Sequence, residues 1–151
     1  TLAELSLLRV AATFHDVGKI GIPDRILHKP GRLDSDERQQ MQLHSEIGER
    51  IVAASELDGA DSAARIIRHH HEHFDGRGYP DGLAGESIPM CSRIISVCDS
   101  YDAMGAARTY QNTRSHRDIM AILAEESGSK HDPAVVRAFS ELIGSNPYRI
   151  A

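Results

Sequence analysis

The chain has 151 residues, 40% hydrophobic and 26% charged, a composition typical of one soluble globular domain and not of a disordered chain. Its net charge of −5 argues against a general basic surface for duplex nucleic acid. The sequence has no apolar run of the ~20 residues that a membrane-spanning helix needs, and no signal-peptide pattern. We therefore expect a cytoplasmic domain without membrane contact. Two cysteines, Cys91 and Cys98, predict buried reduced thiols and no disulfide framework.

The first half of the chain predicts helices that carry polar residues at their ends. Apolar residues at helical spacing predict a helix over residues 2–16, with His15 and Asp16 at its C-terminal end. Glycines and a proline then predict a break over residues 18–23 that contains Lys19. A short helix over residues 25–27 comes next.

Asp34 and Glu37 form a capping-box pattern that starts another helix, which runs to about His44. A further helix is predicted over residues 45–54. His44 lies at the junction of these two helices, where a ring can project into a cleft.

Four of the nine histidines cluster within five residues, at positions 69, 70, 71 and 73. A helix predicted over residues 62–74 would place His70 and His71 about 100° apart around its axis, so both could face one wide cleft. His69 and His73 are four residues apart, and we expect an exposed pair of solvated rings. A loop of about fourteen residues follows over 75–88, and loops of that length are usually functional.

The remaining elements are also predicted to be helical. A helix from Pro89 to about Met104 carries Asp99 in apolar surroundings, where a carboxylate is costly unless it is paired or ligated. A weakly structured connection over 105–113 follows. Ser115 and the Asp132-Pro133 pair then predict the starts of the last two helices. No segment alternates as a strand does, so we expect an all-α fold.

Six polar residues at the ends or inner faces of these helices form a candidate metal site: His15, Asp16, His44, His70, His71 and Asp99. Imidazole and carboxylate donors without cysteine suit Fe, Mn, Ni or Zn and argue against a structural zinc site. An aspartate can bridge two ions, and metals ~3.5–4 Å apart commonly support displacement at phosphorus. Lys19 and Arg108 could hold phosphoryl oxygens, and Tyr79 could donate to a phosphate or stack on a base.

These residues stand in motifs that resemble the HD-GYP family, a branch of the HD metal-dependent phosphohydrolases that degrades cyclic di-GMP: His15-Asp16-Val17-Gly18-Lys19, His70-His71-Glu72 and Gly78-Tyr79-Pro80. The resemblance covers nearly the whole chain and includes the contexts of His44 and Asp99. It implies an HD-GYP domain over residues 1–151, with an all-α HD-domain helical bundle of about six to seven helices and a long GYP loop.

By this resemblance the six candidate residues are metal ligands, with Asp16 bridging, in a di- or trinuclear centre of iron or manganese. Asp16 and Lys19 are expected to act in catalysis. Substrate contacts are expected from Lys19, Arg77, Tyr79, Arg108 and Gln111. The implied partners are a cyclic dinucleotide substrate, a diguanylate cyclase of the GGDEF type and a second copy of the chain.

Two departures from the family pattern affect these expectations. Family members have a preceding helix that supplies a further glutamate or histidine ligand, whereas this chain begins at Thr1 and is already predicted to be helical at Leu2. We therefore expect an N-terminally incomplete domain of a larger multidomain signalling protein. Gln111 stands where members carry a cation, which would weaken a contact to substrate phosphate.

The expected function is hydrolysis of cyclic di-GMP to pGpG, GMP or both by a metal-dependent phosphodiesterase. Two alternatives remain open. One is a degenerate domain that binds a nucleotide or a partner protein without hydrolysis. The other is a phosphodiesterase for a different cyclic dinucleotide, such as a mixed GMP-AMP ring.

Overall fold

The computed structural model describes residues 1–106 and 114–144, and the regular structure within these ranges is helical. The α-helices are α1 (Leu2–Phe14), α2 (Asp24–Leu27), α3 (Ser35–Gln42), α4 (His44–Ala53), α5 (Ala60–Arg68), α6 (Met90–Gly105), α7 (His116–Glu125) and α8 (Pro133–Ile143). Two short 3-10 helices cover Val17–Gly21 and Gly85–Ser87. Because α2 is a single turn, the longer helices match the number predicted, and the all-α prediction is confirmed.

Two compact units divide the chain. The first unit contains Thr1–His71 and Tyr79–Gly82, and therefore α1 to α5. The second unit contains Glu72–Gly78 and the described residues from Leu83 onward, and therefore α6 to α8. The single domain predicted for residues 1–151 stays a prediction. None of the helices in the described ranges is long and apolar enough to cross a bilayer.

The first unit is assembled around α4 and α5. α4 packs against α5 and against the 3-10 helix Val17–Gly21, and α1 packs against α5. The capping box predicted for α3 is confirmed, since the Asp34 side chain accepts from the Glu37 amide at 2.9 Å. The break predicted over residues 18–23 is mostly the 3-10 helix. This packing gathers the end of α1, the start of α4 and the end of α5.

One helix boundary in this unit was predicted wrongly. α5 ends at Arg68 and not at residue 74, and His69 is its C-cap with φ −102° and ψ 11°. His70 and His71 therefore follow the helix and do not project from it. No proline or glycine stands between Arg68 and Gly76 to signal the end, and side-chain contacts of Arg68 and His69, described below, supply the physical reason.

In the second unit, α6, α7 and α8 pack around five buried residues: Val97, Tyr101, Ile119, Leu123 and Val136. The predicted caps are confirmed, because Ser115 accepts from the Asp118 amide and Asp132 accepts from the Ala134 amide. The prediction of buried thiols is wrong. Cys91 is half-buried and Cys98 is exposed, because the buried positions of α6 are taken by other residues.

His131 makes the stability of the second unit depend on pH. The residue is 1% exposed, its Nδ1 lies 3.2 Å from Ser96 Oγ, and its Nε2 lies 3.2 Å from a Glu126 carboxylate oxygen. Burial, reinforced by the charge of Lys130, lowers the pKa of His131 to about 4. The unfolded chain takes up a proton near pH 6.5, whereas the folded protein does so only near pH 4. Because the unfolded chain binds more protons between pH 6.5 and 4, the free energy of unfolding is highest above pH 6.5 and falls as the pH drops towards 4.

We expect His131→Gln to flatten this pH dependence. Urea midpoints measured at pH 7, 6 and 5 should fall more steeply for the parent than for the variant. His28→Gln, which replaces an exposed imidazole, should keep the parental slope. An equal slope for the parent and His131→Gln would contradict the role of His131.

Candidate metal centre

Five of the six predicted metal ligands lie in the first unit, each at or just beyond a helix end. His15 is the C-cap of α1, and Asp16 is the N-cap of the 3-10 helix. His44 is the first residue of α4. His70 and His71 follow the C-cap of α5. The predicted helix ends had indicated this position for His15, Asp16 and His44, whereas His70 and His71 were predicted to lie within a helix.

The histidine rings come together closely. His44, His70 and His71 each offer a nitrogen, and these nitrogens lie within 4.8 Å of one another. The ring centroids of His70 and His71 are 4.0 Å apart, and that of His44 is 5.0 Å from His71. His15 joins the group at 5.3 Å from His70. Three nitrogens at this spacing could hold a metal ion.

The Asp16 carboxylate lies among these rings and next to a cation. One of its oxygens is 3.6 Å from His44 Nε2. The other is 3.6 Å from His15 Nε2 and 2.5 Å from Lys19 Nζ. The carboxylate thus faces the two histidines with separate oxygens, and Lys19 pairs with one of these oxygens. The bridging role of Asp16 stays a prediction.

The hydrogen bonds of the rings test whether a metal ion fits. Nδ1 of three histidines faces the carbonyl oxygen three residues earlier, at 2.8 Å for His15, 2.8 Å for His44 and 2.6 Å for His70. Nδ1 therefore carries the proton in each ring, and Nε2 is the nitrogen that can act as a metal ligand. Metal-binding histidines are commonly oriented by such outer hydrogen bonds.

Two of these Nε2 atoms, those of His44 and His70, are buried polar atoms. Nε2 of His44 and Nε2 of His70 are buried without a hydrogen-bond partner, and such atoms are costly unless something satisfies them. Burial lowers the pKa of both rings, that of His70 to about 4, so both are neutral near pH 7. Neutral imidazoles with free, inward-facing lone pairs fit a transition-metal ion.

A glycine allows the two halves of this donor set to approach each other. A Cβ at Gly18 would lie 1.8 Å from the His44 carbonyl oxygen and 2.5 Å from the Gly48 amide nitrogen. The 3-10 helix thus touches the backbone at the start of α4. The sequence identified Gly18 only as a helix breaker, but its larger role is this contact, which brings Asp16 next to His44.

Tyr79 lies over one of the candidate ligands. Its ring stacks on His71 with centroids 5.0 Å apart and planes inclined by 29°. Its amide donates to the His71 carbonyl oxygen at 3.2 Å, and the following Tyr79-Pro80 peptide is cis. The predicted substrate residue Tyr79 therefore contacts the candidate ligand His71 directly.

The other predicted site residues are placed as follows. Asp99 is half-buried on α6 in the second unit, and its role as a ligand stays a prediction. Arg77, also in the second unit, has an 80% exposed side chain whose guanidinium pairs with Asp75 at 2.7 Å. Its substrate contact stays a prediction as well. Arg108 and Gln111 lie outside the described residues.

His69 differs from its prediction. The expected exposed pair with His73 is wrong, because α5 ends at Arg68 and the two rings share no helical face. His69 is 7% exposed, and its Nε2 lies 2.9 Å from an Asp81 oxygen. Arg68 binds the same carboxylate. Sequence reasoning missed Arg68 and Asp81, since charges thirteen residues apart across a loop show no periodicity.

The matches to known proteins cover most of this chain. Residues 3–135 match the family model described as HD domain. A cyclic di-GMP phosphodiesterase of Vibrio cholerae is 45% identical over 144 residues, which are 92% of this chain and 29% of that protein. A 3′3′-cGAMP-specific phosphodiesterase of Vibrio cholerae is 40% identical over 139 residues, which are 92% of this chain and 27% of that protein. The chain thus spans less than a third of either relative.

A solved structure supports the fold. The cyclic GMP-AMP specific phosphodiesterase V-cGAP3 of V. cholerae superposes with a TM-score of 0.71 at 18% identity, over 94% of this chain and 39% of the other. This likeness agrees with the all-α architecture. Together with the match over most of the sequence, it leads to one conclusion. The chain belongs to the HD domain family, as its His-Asp and Gly-Tyr-Pro motifs predicted.

Proposed function

We propose that this domain is a metal-dependent phosphodiesterase that hydrolyses cyclic di-GMP to pGpG, GMP or both. The observation that carries the proposal is the pair of buried, unpartnered Nε2 atoms of His44 and His70 beside the Asp16 carboxylate. A metal ion would satisfy both atoms. The 45% identity to a cyclic di-GMP phosphodiesterase supports the substrate class.

The proposed ligands are His15, Asp16, His44, His70, His71 and Asp99, in a di- or trinuclear centre of iron or manganese. Bound there, the metals would stabilise charge on the phosphoryl oxygens and activate water. In the reaction, water adds at phosphorus, the bond from phosphorus to the ribose oxygen breaks, and that oxygen leaves as a hydroxyl.

The chain's own residues would orient the metal ligands and bind the substrate. The carbonyl oxygens behind Nδ1 fix the ring planes of His15, His44 and His70 before substrate arrives. Lys19 is partly exposed next to Asp16, so its ammonium can hold Asp16 and also attract a phosphoryl oxygen. The Tyr79 ring offers a face on which a base can stack and a hydroxyl that can donate.

The test is direct. The protein is purified without oxygen, loaded with iron(II) or manganese(II), and incubated with cyclic di-GMP, and the products are separated by chromatography. Linear pGpG or GMP that forms only with metal supports the proposal. Intact cyclic di-GMP in the presence of stoichiometric metal overturns it. Tight binding of cyclic di-GMP by such an inactive protein would identify the non-hydrolysing alternative.

A relative with a different substrate supports an alternative to cyclic di-GMP. The 40% identical relative is named as specific for 3′3′-cGAMP, a ring with the same phosphodiester links and one different base. We propose 3′3′-cGAMP as the alternative substrate of the same site. The ratio of kcat/KM for the two rings, measured in competition, decides between them.

The proposed partners follow from this substrate class. A diguanylate cyclase of the GGDEF type would supply cyclic di-GMP, and a second copy of the chain could form a dimer. Sedimentation of the purified protein, alone and with a GGDEF domain, tests both. The proposed location is the cytoplasm, where a bacterial second messenger acts.

A further inference from the structure

A group of charged side chains holds the loop that carries Tyr79, and we call it the loop clamp: Arg68, Asp81, His69 and Glu49. Arg68 donates from Nε and a terminal nitrogen to the two oxygens of Asp81, at 2.7 and 2.8 Å. Its other terminal nitrogen donates to Glu49 at 2.6 Å. His69 Nε2 adds a fourth contact, 2.9 Å from Asp81.

The loop clamp is an ion pair whose hydrogen bonds fix the direction of both side chains. Hydrogen bonds from Arg68 hold the pKa of the Asp81 carboxyl well below its usual range, so the ion pair is intact near neutral pH. Two parallel bonds from one guanidinium to one carboxylate fix orientation as well as distance. Glu49, on α4, fixes the guanidinium from the other side. The carboxylate therefore has one well-defined position.

The clamp encloses the contact between Tyr79 and His71. Arg68 lies three residues before His71, and Asp81 lies two residues after Tyr79. Between these anchors, the Tyr79 ring stacks on His71 and its amide donates to the His71 carbonyl oxygen. Tyr79–Gly82 is also the only part of the loop that clusters with the first unit among the described residues.

We propose that Arg68 and Asp81 are positioning residues: their ion pair sets Tyr79 over His71 and so fixes the substrate-facing side of the metal centre. Neither residue touches the reacting atoms, and both act through Tyr79. The consequence for catalysis rests on the proposed function. The structural part, that the ion pair holds Tyr79 in place, is independent of the proposed function.

The first measurement needs no activity. Hydrogen exchange at the Tyr79 amide reports the bond to His71. In Asp81→Asn this amide should exchange about 5-fold faster, since one hydrogen bond contributes about 1 kcal/mol, while the Ile67 amide in α5 should be unchanged. Lys29→Met breaks the 2.5 Å pair with Glu37 elsewhere in the same unit and should change neither amide. Unchanged protection of Tyr79 in Asp81→Asn overturns the proposal.

The second measurement is a double-mutant cycle on hydrolysis. Asp81→Asn should lower kcat about 100-fold, the cost of a displacement of about 1 Å, with metal content unchanged. In a Tyr79→Ala background the same change should cost less than about 2-fold, because the residue through which it acts is gone. Equal losses in both backgrounds overturn action through Tyr79.

A variant that does not fold and a parent that is inactive can each be distinguished from failure of this proposal. If Asp81→Asn does not fold, Arg68→Lys takes its place, since it keeps the charge and loses the paired geometry. If the parent hydrolyses no cyclic dinucleotide, the proposed function fails, while amide exchange still decides whether the clamp positions Tyr79.

Discussion

Gly18→Ala should destabilise the first unit by about 3 kcal/mol or more and abolish its metal binding. The added methyl carbon would lie 1.8 Å from the His44 carbonyl oxygen and 2.5 Å from the Gly48 amide nitrogen. Both are backbone atoms, so neither can turn aside as a side chain can. The 3-10 helix would have to move away from α4, and Asp16 would move away from His44 with it.

Gly21→Ala is the matched control. Gly21 ends the same 3-10 helix, and its nearest neighbour is the Ile47 Cδ1 atom at 3.0 Å, the movable end of a side chain. Urea unfolding and metal content should be close to parental for Gly21→Ala and both reduced for Gly18→Ala. A stable, metal-replete Gly18→Ala protein would mean that the close backbone contact is not required.

His70→Ala should remove one metal position and reduce hydrolysis by about 1,000-fold or more. A metal contributes several kcal/mol to stabilising charge in the transition state, and each 1.36 kcal/mol is tenfold in rate. His70 is fully buried, with its Nε2 free and facing His44 and His71. No solvent-exposed group could replace that nitrogen at so enclosed a position.

Metal analysis and steady-state kinetics check this expectation together. His28→Ala removes an exposed imidazole and should leave both values unchanged, which controls for unspecific metal capture by histidines. Circular dichroism should show parental helix content in both variants. Full metal content with parental kcat in His70→Ala would exclude His70 as a ligand.

Local signals in the sequence predicted the helix starts well. Asp34, Ser115 and Asp132 each accept from a backbone amide two or three residues later, and a cap of this kind needs no distant partner. The sequence also indicated which imidazole and carboxylate side chains belong to one site, and five of the six lie together in the first unit. These features depend on a few neighbouring residues.

The features that were missed depend on distant partners. The imidazoles of His69 and His70 bond carbonyl oxygens of the last turn of α5, at 2.8 and 2.6 Å. Arg68 and His69 also bind Asp81, thirteen and twelve residues away, and this contact could not be predicted. The contact between Gly18 and His44 likewise joins segments far apart in the chain. Pairings of this kind leave no period in the sequence, so the exact site geometry required the structure.

The path of the chain between its two units limits how the protein can be divided. The backbone passes from one unit to the other three times, after His71, after Gly78 and after Gly82. No single cut therefore leaves both units whole. A fragment ending at His71 would lack Asp81 and leave Arg68 and His69 without the carboxylate that binds them. The two units are not interchangeable modules, and the first depends on four residues encoded within the second.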